Sequence, residues 1–247
     1  MTEQCISYFA ARAKGGVAVT STGAIMGTKM ASRYVWGRNL YLYHAGHLQG
    51  LCLLTDRIHY FGSLACAQMT IGFGRQGHSH DPDELVPAAT AGLPYEMVIE
   101  KISGGMISET MRRSELARAS LVGQMTREMS IDEIHSEQKE YARSCQLAVT
   151  GGFDIIEIHG PHGYLEHQFL SPVSNKRTDM YGGEWRNRKR FLNEVAEQVR
   201  YACPGVVLGV RISNQEYFEG GLTKEEMIDL AQDLEDRGVD YISLSAG

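Results

Sequence analysis

Two histidines and a tyrosine that could bind and protonate a substrate follow an apolar run in the second half of the chain. The run FDIIEI at residues 153–158 has the composition of a buried strand, and His159, His162 and Tyr164 come directly after it. Imidazole and phenol groups donate hydrogen bonds, and a phenol with an ordinary pKa of about 10 can also deliver a proton. Because parallel α/β proteins place their chemistry at the carboxyl ends of strands, we expect an active site here.

Two further polar side chains lie at the ends of other apolar runs. Gln68 lies near the end of SLACAQM, and Arg211 lies near the end of VVLGVRI. Alternation along each strand puts Arg211 and His159 on the face opposite the branched residues that helices would cover. We therefore expect Gln68, His159 and Arg211 to converge, and a barrel is the simplest architecture that brings them together.

The elements that must position these groups alternate regularly. Predicted strands cover residues 17–22, 63–69, 153–158, 206–212 and 240–245. Predicted helices cover residues 2–13, 47–59, 131–150, 187–201 and 224–237. Ser130, with Glu133 three residues later, fits a capping box, and Thr223 fits an N-cap. Helices alternating with near-continuous apolar strands predict an α/β fold with a parallel sheet and right-handed crossovers.

Two stretches do not fit this alternation. Residues 26–43 are irregular and aromatic, and we interpret them as a loop excursion outside the core. Residues 81–130 are interrupted by prolines and glycines, and segments of this length are typical of insertions or lids. A short helix is predicted at residues 109–121. A surface excursion without a role is the alternative, and in either case residues 1–247 form one domain.

Composition excludes several classes of protein. The 247 residues, 43% hydrophobic and 22% charged, suit one globular domain. A net charge of −6 argues against nucleic acid as a partner, and no apolar stretch is long enough for a membrane span or a signal peptide. The five cysteines are scattered without metal or iron–sulfur spacing, which predicts reduced thiols. We expect a cytoplasmic protein that acts on a small molecule, and a homo-oligomer is compatible with the sequence.

The central segment resembles a known family. EIHGPHGYLEHQFLSPVSNKRTDMYGG, with the downstream NRKRF and VRIS, is similar to the Old Yellow Enzyme family of flavin-dependent ene-reductases. The similarity is greatest to the branch of 2,4-dienoyl-CoA reductase, 2-enoate reductase and bile-acid or steroid ene-reductases. It covers most of the chain outside residues 26–43 and 81–130. The fold that it implies is an FMN-binding (β/α)₈ TIM barrel.

The resemblance also implies which units and cofactor sites lie outside this sequence. It aligns the chain from the first barrel helix to the sixth strand, so we expect a partial barrel without the first strand and the last two βα units. The loops that hold the FMN phosphate in such barrels follow strands seven and eight. A 4Fe-4S cluster would belong to a full-length relative, since its ligands are not in this chain.

The same resemblance assigns roles to the candidate residues. Gln68 would bind the flavin pyrimidine edge, and Arg211 would lie at the flavin N1–C2 carbonyl. His159 and His162 would bind the substrate carbonyl oxygen, and Tyr164 would protonate the α-carbon while flavin N5 delivers hydride to the β-carbon. The implied function is reduction of the C=C of an α,β-unsaturated carbonyl compound, such as an enoate, dienoyl-CoA or steroid enone, with electrons from NAD(P)H.

Other interpretations of these residues stay open at this point. The histidines could bind backbone, Tyr164 could pack the loop, Gln68 could bind a neighbouring loop, and Arg211 could pair with Glu157. His159, His162, His167 and Glu157 could hold a metal in a barrel hydrolase. The chain could also be a catalytically incomplete fragment that is inert or acts only with a partner chain.

The glycine-rich segment after Gln68 departs from the family pattern. The usual Q-L-x-H-x-G-R is replaced by QMTIGFGR, which lacks the histidine and has one residue more. GFGRQG also lacks the G-x-G-x-x-G frame of a dinucleotide site. We expect Arg75 in a surface turn, with contact to the flavin as the alternative.

Overall fold

A parallel sheet dominates the computed structural model, which describes residues 1–34, 39–81, 83–92 and 124–246. The strands in chain order are β1 (Val19–Ser21), β2 (Ile25–Met26), β3 (Leu40–Tyr41), β4 (Leu64–Thr70), β5 (Val86–Ala88), β6 (Thr126–Glu128), β7 (Ile155–His159), β8 (Val207–Ser213) and β9 (Tyr241–Ser245). The strand order of the main sheet is β3-β2-β4-β7-β8-β9, and β1 also pairs with β4. All of these pairings are parallel, as predicted for the main sheet, and the pair of β5 with β6, which the sequence did not predict, is parallel too.

Helices connect and cover these strands. They are α1 (Glu3–Lys14), α2 (Lys29–Arg33), α3 (Leu48–Tyr60), α4 (Ile131–Thr150), α5 (Leu165–Leu170), α6 (Trp185–Arg188), α7 (Arg190–Ala202) and α8 (Lys224–Asp236). The predicted helix 187–201 corresponds to the end of α6 and most of α7. The capping boxes at Ser130 and Thr223 are both formed, which explains why the starts of α4 and α8 were readable from the sequence.

The core lies between the outer face of the sheet and these helices. Ile156 and Ile158 on β7 and Leu208 and Val210 on β8 are completely buried. Burying one such side chain stabilises the fold by about 1.5–3 kcal/mol. The phenol of Tyr141 on α4 donates to the carbonyl oxygen of Met69 on β4, at 3.0 Å. Since the core takes the outward-facing residues, the inward face is left for polar groups.

Thr22 joins β1 to β2 along one side of β4. Its backbone N–H donates to the carbonyl oxygen of Cys66 at 3.0 Å, and its hydroxyl accepts from the backbone N–H of Gln68 at 3.2 Å. β1 pairs with the first half of β4, and β2 pairs with its last two residues. This side-chain bridge fixes the backbone of Gln68 where the regular pairing is interrupted.

The interpretation of residues 26–43 as a loop outside the core is wrong in part. Met26 lies in β2, Leu40–Tyr41 forms β3 at the edge of the sheet, and Leu42 is completely buried. Strands of two residues are too short to show an alternation, so the sequence pattern could not reveal them.

The described ends of segment 81–130 pack against the loop after α5. Arg177, which is buried, donates to the carbonyl oxygen of Ala89 at 3.1 Å and to that of Met129 at 2.8 Å. Residues 82 and 93–123, including the helix predicted at 109–121, lie outside the described residues. The lid or insertion role of this segment stays a prediction.

Among the described strands, β3 and β9 are the outermost and do not pair with each other, so the sheet that these strands form is only partly closed. This parallel arrangement with covering helices confirms the predicted fold class. The expected lack of the first barrel strand and of the last two βα units stays a prediction.

Candidate active site

The strand register brings the predicted groups onto one face of the sheet. His159 on β7 pairs with Arg211 on β8, which pairs with Ser243 on β9. Gln68 on β4 pairs with Glu157 on β7, two residues before His159. In parallel strands, paired residues point to the same side of the sheet. The register therefore places Gln68, His159 and Arg211 on the same face of the sheet near the strand ends, as the sequence predicted.

His159 is a buried imidazole that contacts the rings of His162 and Tyr164. It is 4% exposed, and neither ring nitrogen has a hydrogen-bond partner among the described residues. Burial, followed by the charges of His162 and Arg211, lowers its pKa to about 3. At neutral pH the ring is therefore neutral, with one N–H donor and one acceptor. A buried polar group left without a partner costs about 1–3 kcal/mol, and such groups are typical of binding sites.

The backbone of His162 is held in a left-handed conformation with φ of 65°. A non-glycine residue in this region is strained by about 1–3 kcal/mol and persists only where contacts enforce it. The side-chain amide of Gln76 donates to the carbonyl oxygen of His162. The ring Nε2 of His162 lies 2.6 Å from the hydroxyl oxygen of Ser245. Burial and Arg211 lower the pKa of His162. The exposed ring lies 5.1 Å from that of His159.

Tyr164 lies beside His159, at the N-cap position of α5. Its ring centroid is 4.9 Å from that of His159 and 5.0 Å from that of Phe73, which meets it edge-on. The side chain is half-buried. Packing against Phe73 orients the phenol, so the interpretation as a packing residue and the interpretation as a proton donor are compatible.

Arg211 and Gln68 have different partners. The guanidinium of Arg211 donates to the hydroxyl of Ser243 at 3.1 Å. Gln68 Nε2 donates to Glu157 Oε1 at 2.6 Å, and the Tyr241 hydroxyl donates to Glu157 Oε2 at 3.0 Å. Glu157 thus binds Gln68 and Tyr241 instead of forming the Arg211 pair that the sequence left open.

Three residues of β9 in contact with the site were missed at the sequence level. Tyr241, Ser243 and Ser245 contact Glu157, Arg211 and His162. The signal was present in the alternation of YISLS, which puts all three on one face. It was overlooked because serine is common in strands and loops without a catalytic role.

Two side chains of α5 form hydrogen bonds with the backbone of the loop between β7 and α5. His167 Nδ1 accepts from the backbone N–H of Gly163 at 2.7 Å, and Gln168 Nε2 donates to the Gly163 carbonyl oxygen at 2.7 Å. Gln168 also reaches the segment after β4, where its amide oxygen accepts from the backbone N–H of Arg75. The expectation of Arg75 in a surface turn is wrong, since Arg75 is 6% exposed. A bond to a buried glutamine keeps this turn inside the protein.

The profile of the NADH:flavin oxidoreductase / NADH oxidase family matches residues 1–246. The chain belongs to this family. An NADPH dehydrogenase of Halalkalibacterium halodurans is 33% identical over 244 residues, which are 98% of this chain and 62% of the relative. The chain therefore spans less than two thirds of the length of that flavin oxidoreductase relative.

Solved structures agree with the family at the level of the fold. A 2-naphthoyl-CoA reductase in complex with 2-naphthoyl-CoA superposes with a TM-score of 0.80 at 26% identity, over 99% of this chain and 35% of that one. An Old Yellow Enzyme from Pichia sp. superposes with a TM-score of 0.77 at 24% identity, over 99% of this chain and 62% of that one. The fold of this flavin oxidoreductase family member is thus that of the Old Yellow Enzyme barrels.

Two further findings concern the alternatives. Within the described parts of the chain, no group of three or more His, Cys, Asp or Glu side chains could hold a metal ion. His167, one of the ligands in the hydrolase interpretation, points its Nε2 toward Glu216 Oε1 at 3.6 Å. No described helix has both the length and the apolar character that a membrane crossing needs.

Glu166 links the stability of this flavin oxidoreductase fold to pH. Its carboxyl is completely buried, where it accepts from the backbone N–H of Ile71 at 2.6 Å and from the hydroxyl of Thr70 at 2.9 Å. Burial raises its pKa to about 7. Because the pKa in the folded protein lies above that of an unfolded glutamate, the stabilising contribution is present below about pH 4.5 and is lost as the pH rises through 7.

Replacing Glu166 with glutamine should remove this pH dependence, because an amide is neutral throughout. We expect the free energy of unfolding of Glu166→Gln relative to wild type to rise by about 3 kcal/mol between pH 4.5 and pH 8.5. Urea unfolding at a series of pH values measures the difference. Glu184→Gln, at a side chain that is 71% exposed, is the control without such a rise. Parallel curves for Glu166→Gln and wild type would refute the prediction.

Proposed function

We propose that this protein is an FMN-dependent ene-reductase that uses NAD(P)H-derived electrons to reduce the C=C of an α,β-unsaturated carbonyl compound. The observation that carries the proposal is His159, a buried neutral imidazole that contacts Tyr164 and whose ring nitrogens have no hydrogen-bond partner among the described residues. Family membership supports the flavin chemistry, and the substrate class rests on the geometry of these side chains.

The polar groups on the inward face fit the isoalloxazine ring of FMN. Gln68 on β4 and Arg211 on β8 offer an amide and a guanidinium on either side of β7, which suit the pyrimidine edge with its alternating carbonyl and N–H groups. The positive charge of Arg211 would stabilise negative charge on reduced flavin. When bound, FMN supplies hydride transfer between the nicotinamide and the alkene.

His159 and His162 would bind the substrate carbonyl oxygen. Negative charge develops on this oxygen as hydride adds to the β-carbon, so fixed N–H donors lower the barrier, by about 3–4 kcal/mol for one good donor. Both rings have a lowered pKa and act as neutral donors near pH 7. The contact of His162 Nε2 with Ser245 leaves Nδ1 available to the substrate.

Tyr164 would donate the proton to the α-carbon. Its phenol is half-buried beside His159, and the ring is oriented by Phe73. Substrates that fit this chemistry include enoates, dienoyl-CoA thioesters and steroid or bile-acid enones, within the proposed branch of the family. Either NADH or NADPH can serve as donor in this proposal.

The second candidate is a barrel portion that is active only with a partner chain. It is favoured by the sheet, whose described edge strands β3 and β9 have no outer neighbour among the described residues. Flavin bound to a monomer of the purified protein would contradict this candidate.

Replacing Tyr164 with phenylalanine separates the two half-reactions. We expect alkene reduction to slow about 10²-fold or more, as for loss of a general acid, while reduction of the flavin by NAD(P)H continues at nearly the wild-type rate. Anaerobic stopped-flow measurement of flavin absorbance gives each rate, with cyclohexenone as the oxidising substrate. Equal slowing of both half-reactions would refute the proton-donor role, and wild-type protein that leaves the alkene unreduced would refute the ene-reductase proposal.

A further inference from the structure

Glu157 lies at the centre of a polar layer just below the strand ends. The register aligns Gln68, Glu157, Gly209 and Tyr241 across four neighbouring strands, β4, β7, β8 and β9. Glu157 is 6% exposed, so nearly all of its surroundings are protein groups. Its two carboxylate oxygens take one hydrogen bond each, from Gln68 Nε2 and from the Tyr241 hydroxyl. The carboxylate thus links β7 to β4 on one side and, across β8, to β9 on the other.

Gly209 makes the bond from Tyr241 possible. The ring of Tyr241 crosses β8 over this glycine, where an added Cβ would lie 2.0 Å from the ring. Any other residue would push the ring away, and the hydroxyl could not reach Glu157 on the strand beyond. The glycine therefore keeps the second oxygen of Glu157 occupied and leaves only the first oxygen for Gln68.

The carboxylate of Glu157 determines which end of the Gln68 side-chain amide, the NH₂ group or the carbonyl oxygen, faces it. A carboxylate only accepts hydrogen bonds, so the end of the amide that faces it at 2.6 Å must be the NH₂ group. The carbonyl oxygen of Gln68 is then directed away from Glu157. Without Glu157, the amide could rotate and present either end at the strand ends.

We propose that Glu157 is a positioning residue that fixes the Gln68 amide with its carbonyl oxygen toward the bound ligand, where it accepts from an imide N–H. This rests on the proposed function, since the imide N–H is that of the flavin pyrimidine edge. Glu157 acts through Gln68 and does not touch the ligand. Tyr241 and Gly209 support it from the other side.

The first test uses the protein without flavin. In the ¹H–¹⁵N spectrum, the side-chain NH₂ signals of Gln68 are assigned by their loss in Gln68→Met. We expect these protons to exchange with solvent at least tenfold faster in Glu157→Met, which has no acceptor. Glu157→Gln, whose amide oxygen can still accept, should restore slow exchange. Unchanged exchange in Glu157→Met would overturn the proposal.

The second test measures the dissociation constant for FMN by fluorescence titration. Glu157→Met should weaken FMN binding about tenfold, and Glu157→Gln should recover most of it. Because Glu157 acts through Gln68, the double variant with Gln68→Met should bind FMN no more weakly than Gln68→Met alone. Multiplying effects of the two substitutions would overturn the proposal, since they would indicate independent roles.

The two tests separate this inference from the proposed function. Wild-type protein that does not bind FMN would refute the flavin site, while the exchange rates would still decide whether Glu157 orients Gln68. Wild-type protein that binds FMN, with affinity unchanged in Glu157→Met, would leave the flavin site standing and overturn the inference. Thermal unfolding of each variant without flavin identifies any that lose binding because they fail to fold.

Discussion

His159→Ala is expected to lower kcat for enone reduction by about 10²–10³-fold, the loss typical of removing one fixed hydrogen-bond donor at a developing oxyanion. The ring is 4% exposed, and neither nitrogen bonds to another described residue. Its donor capacity is therefore available to a substrate, and little of it contributes to the fold. FMN binding should change little, because Gln68 and Arg211 lie on the neighbouring strands.

The size of this effect should not depend on pH near neutrality. Since the pKa of His159 is lowered to about 3, the imidazole is a neutral donor throughout pH 6–8. Steady-state kinetics at pH 6, 7 and 8 provide the measurement. His59→Ala is a matched control, because that ring pairs with Asp154 at 2.7 Å, at the opposite end of β7. A similar kcat for the two variants would contradict the role of His159.

Arg177→Met should cause a large loss of stability, about 3 kcal/mol or more in the free energy of unfolding. The substitution leaves the buried carbonyl oxygens of Ala89 and Met129 without this donor, and each unsatisfied buried group costs about 1–3 kcal/mol. It also removes the guanidinium whose hydrogen bonds, and then its charge, lower the pKa of the Asp179 carboxyl. The anchored ends of segment 81–130 should loosen with it.

Urea unfolding compares Arg177→Met with a surface arginine. Arg186 has a side chain that is 77% exposed and pairs with Glu184 at 2.9 Å, so Arg186→Ala should change the free energy of unfolding by no more than about 0.5 kcal/mol. Limited proteolysis should cut segment 81–130 faster in Arg177→Met. Equal unfolding midpoints for the two variants would show that the buried bonds contribute little.

Strands and long helices could be predicted because their patterns are periodic. The bounds of α4 were predicted without error, since Ser130 caps its start and Gly151 follows its end. The apolar run before His159 predicted β7, and its abrupt polar end indicated the candidate site, whose role stays a proposal. These signals are local, and the fold preserves them because the apolar faces must be buried together.

Contacts between distant segments could not be predicted in this way. Arg75 was expected in a surface turn, but its backbone N–H donates to Gln168 on α5 and the residue is buried. Glu157 was readable as inward-facing, yet its choice of Gln68 and Tyr241 over Arg211 depends on the register of four strands. Which polar residue pairs with which is decided by tertiary geometry, of which one sequence carries little trace.

The strain at His162 connects the fold with the proposed function. Its positive φ is maintained by the bond that Gln76 donates to its carbonyl oxygen and by the contact of its ring Nε2 with the hydroxyl of Ser245, and both residues belong to other elements. The next residue, Gly163, also has a positive φ, of 72°, and is held by His167. A loop fixed at several points keeps its donors oriented before the substrate arrives, which lowers the reorganisation needed in the transition state.

The flavin content of the purified protein, reconstituted with excess FMN and then separated from free flavin, tests the central claim most directly. We predict one FMN per chain, with a visible absorption band shifted from that of free flavin, and a large loss of bound flavin in Arg211→Met. A folded wild-type protein that retains no flavin, or an Arg211→Met variant that retains as much as wild type, would contradict a flavin site at these strand ends.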